Sequence, residues 1–312
     1  MDDDVGEFQP GMRRDGTDGR AADVSGAPHR CGDHRASLAS AWLAGGCFRA
    51  ATAGRTVAVV TTFRKADSGT HPDFYPAEAA GLRWLGAAGA PVVEVLSVDR
   101  AHIELARLPH GRASADSARR LGEALARMHD AGTEGAGFGC PPAGFTGQIF
   151  IGKRPMSSVE HDRWGEFYVT ERVLPFLAIA YDAGSVDRSQ RAVIERACAV
   201  VAEGRFDDGE APSRIHGDLW NGNVVWTGAQ AVLIDPAAHG GHRETDLAML
   251  DLFGCPYFEQ IIDGYQSRHR LADGWRARVP LHQLHPLAVH AAGYGPGYGQ
   301  ALHQAAVDTL RL

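Results

Sequence analysis

At 312 residues, with 44% hydrophobic and 22% charged, the chain has the composition of an ordinary globular protein and the length for two lobes or domains of ~100–200 residues each. A net charge of −7 leaves no basic footprint for nucleic acid or an anionic membrane. The longest apolar stretches, such as "VLPFLAIAY" at 173–181, fall well short of the ~20 residues of a membrane span, so neither partner is expected.

Residues 1–35 are acidic and Gly-rich with no apolar core, which predicts a disordered tail rather than a signal peptide. Cys31, Cys47, Cys140, Cys198 and Cys255 are odd in number and scattered, with neither CxxC nor zinc-ribbon spacing, and predict reduced thiols in a cytoplasmic protein. The β-branched run "TVAVV" (56–60), "PVVEVLSV" (91–98) and "HIELA" (102–106) read as strands of a small sheet. Between them, 71–89 reads as a helix with Asp73 as N-cap, Pro76 in the first turn and Gly89 as terminator. After Leu108 the period changes to helical: 116–132 places Leu121, Leu125 and Met128 on one stripe, and 164–184, 188–203 and the chain beyond 245 continue as helices. Only "NVVW" (223–226) and "AVLID" (231–235), joined by the turn "TGAQ", interrupt them, and "GYGPGYG" (293–299) reads as a turn between helices. The fold class is therefore α+β, with a small sheet lobe over 36–107 and a larger, mostly helical lobe over 108–312.

The chemistry concentrates in "RIHGDLWNGNVVW" (214–226). Phosphoryl transfer needs a carboxylate to accept the proton of the attacking hydroxyl and hard oxygen ligands for Mg²⁺, which bridges the ATP phosphates. Asp218 and Asn223 are five residues apart, the separation of the catalytic Asp and the metal-binding Asn on a kinase loop, and Asp235 follows twelve residues after Asn223 at the end of the next hairpin. The plain alternative is an Asx-rich surface turn followed by a hairpin that ends in a helix cap.

The stretches "HGDLWNGNVVW", "VLIDPAAHGGHRETDLAMLDLFG" and "LADGWRARVPLHQLHPLAVHA" resemble the fructosamine (ketosamine) 3-kinase family, a branch of the aminoglycoside-phosphotransferase and protein-kinase-like fold, from about Gly45 to about His290. The resemblance implies a two-lobed protein-kinase-like fold, with a small antiparallel-sheet N-lobe and a helical C-lobe. It also implies ATP- and Mg²⁺-dependent phosphorylation of a ketosamine hydroxyl, the ketosamine being free or protein-bound. By position it makes Asp218 the base, Asn223 and Asp235 the metal ligands, and Trp220 a stacking surface for the sugar. His216, on the substrate side, becomes a scaffold of the loop rather than an acid or base. Gly45 and Gly46 in "GGCFRAA" resemble the Gly-rich loop, Glu78 the acidic partner of the ATP lysine, and "IELARL" the hinge, where the backbone of Glu104 and Ala106 would meet adenine. Asp246 would buttress the catalytic loop.

One departure stands out. The family places a lysine at the end of the third strand, where this chain has Val60, and its only lysines are Lys65 and Lys153. Lys153 falls in "GFTGQIFIGKRP", which resembles a loop near the substrate. Lys65 differs from 60 by an odd number, so it is expected to need a bulge or turn to face the nucleotide. Glu78 lies on one stripe with Leu82 and Leu85, and an inward carboxylate demands a cationic partner. Either Lys65 or an arginine reaches it, or the nucleotide lobe is degenerate.

The cluster His239, His242, Glu244 and Asp246 reads as the capped, charged start of a helix before it reads as a metal site, and His282, His285 and His290 carry no HExxH pattern. The expected function is a monomeric ketosamine kinase. The alternatives are a phosphotransferase for another amino-sugar, an aminoglycoside included, and a non-catalytic pseudokinase.

Overall fold

The structure, a computed structural model, describes residues 61–312. The strand expected at 56–60, Val60, and Gly45 and Gly46 lie outside the described residues.

Strand β1 (Thr62–Ala66) alternates exposed and buried side chains, so Phe63 and Lys65 face inward and Arg64 outward. It pairs antiparallel with β3 (His102–Ala106), Lys65 opposite Ile103, and β3 pairs antiparallel with β2 (Val95–Val98), giving the order β1–β3–β2. Lys65 therefore needs neither a bulge nor a turn. Its inward face follows from the register of 62–66 alone, and Val60, from which the parity is counted, lies outside the described residues.

Between β1 and β2 lies α1 (Phe74–Ala87), which buries Leu82 and Leu85, with the Glu78 side chain only 10% exposed. Asp73 takes the N-cap position without capping the helix; its Oδ2 accepts the Gln148 N–H at 3.0 Å instead. The helix start is thereby fastened to a distant loop.

In α2 (Ala115–Asp130) Ser114 and Ser117 form a reciprocal capping box, worth ~1 kcal/mol. A hairpin, β4 (Ile149–Ile151) and β5 (Arg154–Met156), stands where a loop was expected. Then come α3 (Trp164–Phe167), a π-helical turn (Tyr168–Val173), α4 (Leu174–Asp182) and α5 (Arg188–Ala202). Strand β6 (Ser213–Ile215), a 3₁₀ turn (Asn221–Asn223), β7 (Val224–Trp226), β8 (Ala231–Leu233) and β9 (His239–Gly241) frame the loops of interest. Helices α6 (Arg243–Leu252), α7 (Phe258–Gln266), α8 (Trp275–His282), α9 (Leu284–Tyr294) and α10 (Pro296–Thr309) complete the chain.

Two apolar cores lie among the described residues. One joins α3 to α5 with α9 and α10 around Phe167, Leu177, Leu284 and Leu302. The other joins α1, α2, β7, β8, α6 and α7 around Leu85, Leu125, Leu233, Leu250 and Tyr265, each buried side chain of this kind contributing ~1.5–3 kcal/mol. Helices α2 and α7 approach closely because position 122 is glycine: a Cβ there would stand 1.9 Å from the Ile261 carbonyl oxygen. That approach brings Tyr265 to His129. The segment after α1 is stitched to β8 by Val93 N–H to Leu233 O (3.0 Å) and Leu233 N–H to Pro91 O (2.7 Å), two residues before Asp235.

Candidate active site

Strands β6 and β9 pair antiparallel, Ile215 opposite His239, and the loop 216–223 leaves the end of β6. Its first turn requires glycine. Gly217 has φ +76°, and a Cβ there would sit 2.4 Å from the Ala237 carbonyl oxygen.

Asp246 anchors this turn. Its Oδ2 accepts the His216 N–H at 2.7 Å and its Oδ1 the Gly217 N–H at 2.9 Å. It is held in turn by His129, whose Nε2 donates to Oδ2 at 3.2 Å while Nδ1 accepts from the Tyr265 hydroxyl at 2.8 Å. His216 is fully buried, donating from Nε2 to the Ile234 carbonyl (3.0 Å) and accepting the Asp218 N–H at Nδ1 (3.3 Å). Burial holds its pKa below the usual histidine value, so it is neutral. Both ring nitrogens are engaged with backbone. His216 is thus built into the scaffold of the loop.

The loop then delivers Asp218, half-buried, with its Oδ2 and its carbonyl accepting from Asn223 Nδ2 at 3.1 and 2.8 Å. The same Nδ2 lies 3.5 Å from the Asp235 carbonyl oxygen. Asp235 itself follows β8 in the left-handed region, φ +54°, which Asp tolerates better than most residues and which turns its side chain out of the strand line. The three residues singled out in the sequence share one small volume.

Lys65 closes that volume from the other side. Its Nζ is 2.7 Å from Glu78 Oε1 and also donates to Asp235 Oδ1. Burial alone would lower the pKa of this ammonium, but the carboxylates of Glu78 and Asp235 reverse that and hold it above the ordinary lysine value. Burial pushes Glu78 up, and Lys65 pulls it back. The inward carboxylate has its cation, and the cation is Lys65.

The stretch read as the hinge lies in the sheet. Glu104 and Ala106 both lie within β3, the central strand of the sheet, and the Ala106 N–H is already given to the Glu94 carbonyl at 2.9 Å. The Arg107 N–H goes to Thr61 O at 2.8 Å, so the first amide past the sheet belongs to Leu108.

On the opposite side of the loop Trp220 is half-buried and meets Phe253 edge-on at 6.0 Å. Phe253 continues to His290 (4.7 Å), and His290 to Tyr298 (5.0 Å) and Tyr294 (5.6 Å). An aromatic band runs out from Trp220.

The histidine-rich helix start forms a hydrogen-bonded cluster. His242 Nδ1 accepts the Glu244 N–H (3.2 Å), capping α6, and its Nε2 donates to Asp208 (3.1 Å). His282 takes the Thr245 hydroxyl at Nδ1 (3.0 Å) and faces Glu244 with Nε2 (3.3 Å), while Arg278 forks onto Glu244 at 2.9 and 2.5 Å. His242, Glu244 and His282 lie close enough to share an ion, but each is already engaged, His242 with Asp208 and the helix start, and Glu244 with Arg278 and His282. The capping role read in the sequence is the one these bonds describe.

A family model described as fructosamine kinase matches residues 31–311 of the chain. The chain belongs to the fructosamine kinase family. It is 29% identical over 256 residues to a probable ketoamine kinase of Synechocystis, covering 80% of this chain and 83% of that one. It is 31% identical to a probable ketoamine kinase of Escherichia coli K12, with 70% and 73% covered. Among solved structures it matches one from Thermobifida fusca, provisionally named a fructosamine-3-kinase, at 42% identity and a TM-score of 0.75, over 81% and 86% of the two chains. An aminoglycoside phosphotransferase, APH(4)-Ia, shares the fold at a TM-score of 0.50 and 16% identity. The fold is therefore the two-lobed kinase-like one, and the protein is a phosphotransferase acting on a sugar hydroxyl.

Sequence reasoning missed His129, Tyr265, Phe253 and Arg172. His129 lies on the stripe of α2 that also carries Leu125, and a histidine at such a place carries no local sign of its partner 117 residues away. Among the described residues no helix is long and apolar enough to cross a membrane.

Proposed function

We propose that the protein transfers the γ-phosphoryl group of MgATP to a sugar hydroxyl of a ketosamine, a fructosamine or ribulosamine, free or protein-bound. The observation that carries this reading is Lys65 bridging Glu78 and Asp235 beside the Asp218–Asn223 pair, which is the charge arrangement a nucleotide lobe needs and a pseudokinase would lack.

In this reading Asp218 accepts the proton of the attacking hydroxyl, held in line by Asn223 and by the Asp246-anchored turn. Asn223, whose Nδ2 is spent within the loop, offers Oδ1, and Asp235 offers a carboxylate; hard oxygen donors suit Mg²⁺. A bound Mg²⁺ would offset charge on the phosphates. Lys65 holds phosphate oxygens, with Glu78 keeping the ammonium aimed. The Leu108 amide, rather than Ala106, serves adenine. Trp220 and the band behind it stack on the sugar. We place the lobe boundary at 107/108 and read the protein as a cytoplasmic monomer.

The test is a labelled-ATP assay with fructosyl-lysine, ribosyl-lysine and kanamycin side by side. Labelled product from a ketosamine supports the reading. Product from kanamycin alone moves the assignment to another amino-sugar, and product from none overturns the kinase reading for these acceptors.

A further inference from the structure

Arg172 sits in the π-helical turn Tyr168–Val173, and only 1% of it is exposed. Nη1 donates to the carbonyls of Ser157 (3.0 Å) and Glu171 (3.1 Å) and Nε to His239 Nε2 (3.3 Å), all neutral groups, while Nη2 has no hydrogen-bond partner among the described residues. The guanidinium lies 4.7 Å over the Phe167 ring. The neighbouring Glu171 carboxylate is taken by His161 and Thr170. Burying a guanidinium among neutral partners is costly, and an apolar side chain would fill the same space without that cost. What the guanidinium adds is a rigid fork that holds several groups at fixed angles. A π-turn is itself a frequent mark of a functional position.

The two groups it holds lead in different directions. His239 donates from Nδ1 to the Ala237 carbonyl (2.7 Å), Ala237 N–H donates to the His216 carbonyl (2.9 Å), and a Cβ on Gly217 would come within 3.0 Å of the His239 ring. Asp218 is the next residue. Ser157 directly follows β5. The β4–β5 hairpin reaches α1 through Gln148 N–H on Asp73 Oδ2 (3.0 Å) and through Phe150 edge-on to Phe74 at 5.4 Å. Helix α1 carries Glu78.

We propose that Arg172 is a positioning residue for phosphoryl transfer, tying the hairpin that clasps the Glu78 helix to the loop that carries Asp218. It acts through His239 and Ser157, and its catalytic consequence rests on the reading of Asp218 as the base.

The test uses the full chain with Arg172→Met, which keeps bulk and removes the donors, Arg172→Lys, which keeps charge and loses the fork, and His239→Phe. Amide hydrogen exchange, melting temperature, kcat, and KM for MgATP and fructosyl-lysine are measured for each. In Arg172→Met, exchange should rise in peptides covering 149–158 and 214–220 and stay at the parent level in α10. Its kcat should fall about 10–100-fold, with KM for MgATP within about threefold of the parent, the signature of a displaced reacting group. His239→Phe should reproduce the change at 214–220, and adding it to Arg172→Met should cost little more. Should the Met variant fail to fold, a folded Arg172→Lys protein with lowered kcat at unchanged melting temperature carries the same meaning. Parent-like exchange at 214–220, or parent-like kcat in a folded variant, overturns the proposal. The exchange readout needs no substrate, so a parent that phosphorylates no ketosamine defeats the functional reading while Arg172 is still decided.

Discussion

Lys65 and Glu78 form a buried ion pair, Nζ to Oε1 at 2.7 Å, joining strand β1 to helix α1 with side chains 2% and 10% exposed. Removing one partner of such a pair leaves a charge without compensation, at a cost of about 3–5 kcal/mol. Lys65→Met is expected to destabilise the protein by that order in urea unfolding. Adding Glu78→Gln should return a substantial part of the loss, because the orphaned carboxylate goes with it. A double variant no more stable than Lys65→Met alone would show the pair to be energetically idle.

Because Lys65 already supplies the cation beside Glu78, a lysine introduced at position 60 has no buried carboxylate left to serve. Val60→Lys should therefore bring no gain in activity, measured as kcat/KM for MgATP. A severalfold gain would mean that the parent lacks its phosphate-binding cation after all.

For the base, Asp218→Asn keeps size and the contact with Asn223 but removes the acceptor charge. It should lower kcat by about 10²–10⁴-fold while nucleotide affinity changes little. Near-normal turnover would remove Asp218 from the mechanism.

Asp235 occupies a left-handed backbone position, so the informative replacement is Asn, which adopts that conformation readily. Asp235→Asn should keep the fold and lose most Mg²⁺-dependent ATP binding by calorimetry. Undiminished binding of MgATP would exclude Asp235 as a ligand.

The histidines of the helical lobe set a pH dependence. Burial holds His282 at about 4, even though Glu244 pulls it upward, and burial with the nearby Arg172 charge holds His285 at about 3, both below the ordinary value of 6.5. Each is buried neutral, so the unfolded chain takes up protons first as pH falls. The stability this represents is fully present above about pH 6.5 and is lost as pH falls from there toward 4, at ~1.4 kcal/mol per pH unit for each histidine. Unfolding free energies at pH 7, 6 and 5 should decline accordingly, and His285→Gln should flatten the slope by about one proton. A slope unchanged by that replacement would assign the proton uptake elsewhere.

Much of this was legible in the sequence where chemistry and period coincide. The five- and twelve-residue spacings of Asp218, Asn223 and Asp235 are local, and the hairpin β7–β8 brings its two ends together as expected. Helix α1 was legible through Leu82 and Leu85, and Glu78 on the same stripe demanded a cation. Which cation was not legible, because parity was counted from Val60 across a stretch whose strand register the sequence does not mark. The bond from the Ala106 amide to Glu94 on a neighbouring segment is unmarked for a similar reason, being a pairing that register alone decides. Arg172 and His129 carry no local sign of their partners, because His239 lies 67 residues from Arg172 and Asp246 117 residues from His129.

The most direct measurement is single-turnover transfer of the γ-phosphate from MgATP to fructosyl-lysine, with enzyme in excess, in the parent and in Lys65→Met. The parent should convert the acceptor to its phosphate in step with ADP formation, and Lys65→Met should be slower by at least about 10²-fold at saturating ATP, since the lost charge contact with phosphate is strongest where charge develops. A parent that binds MgATP yet transfers nothing, or a Lys65→Met variant as fast as the parent, would contradict the account.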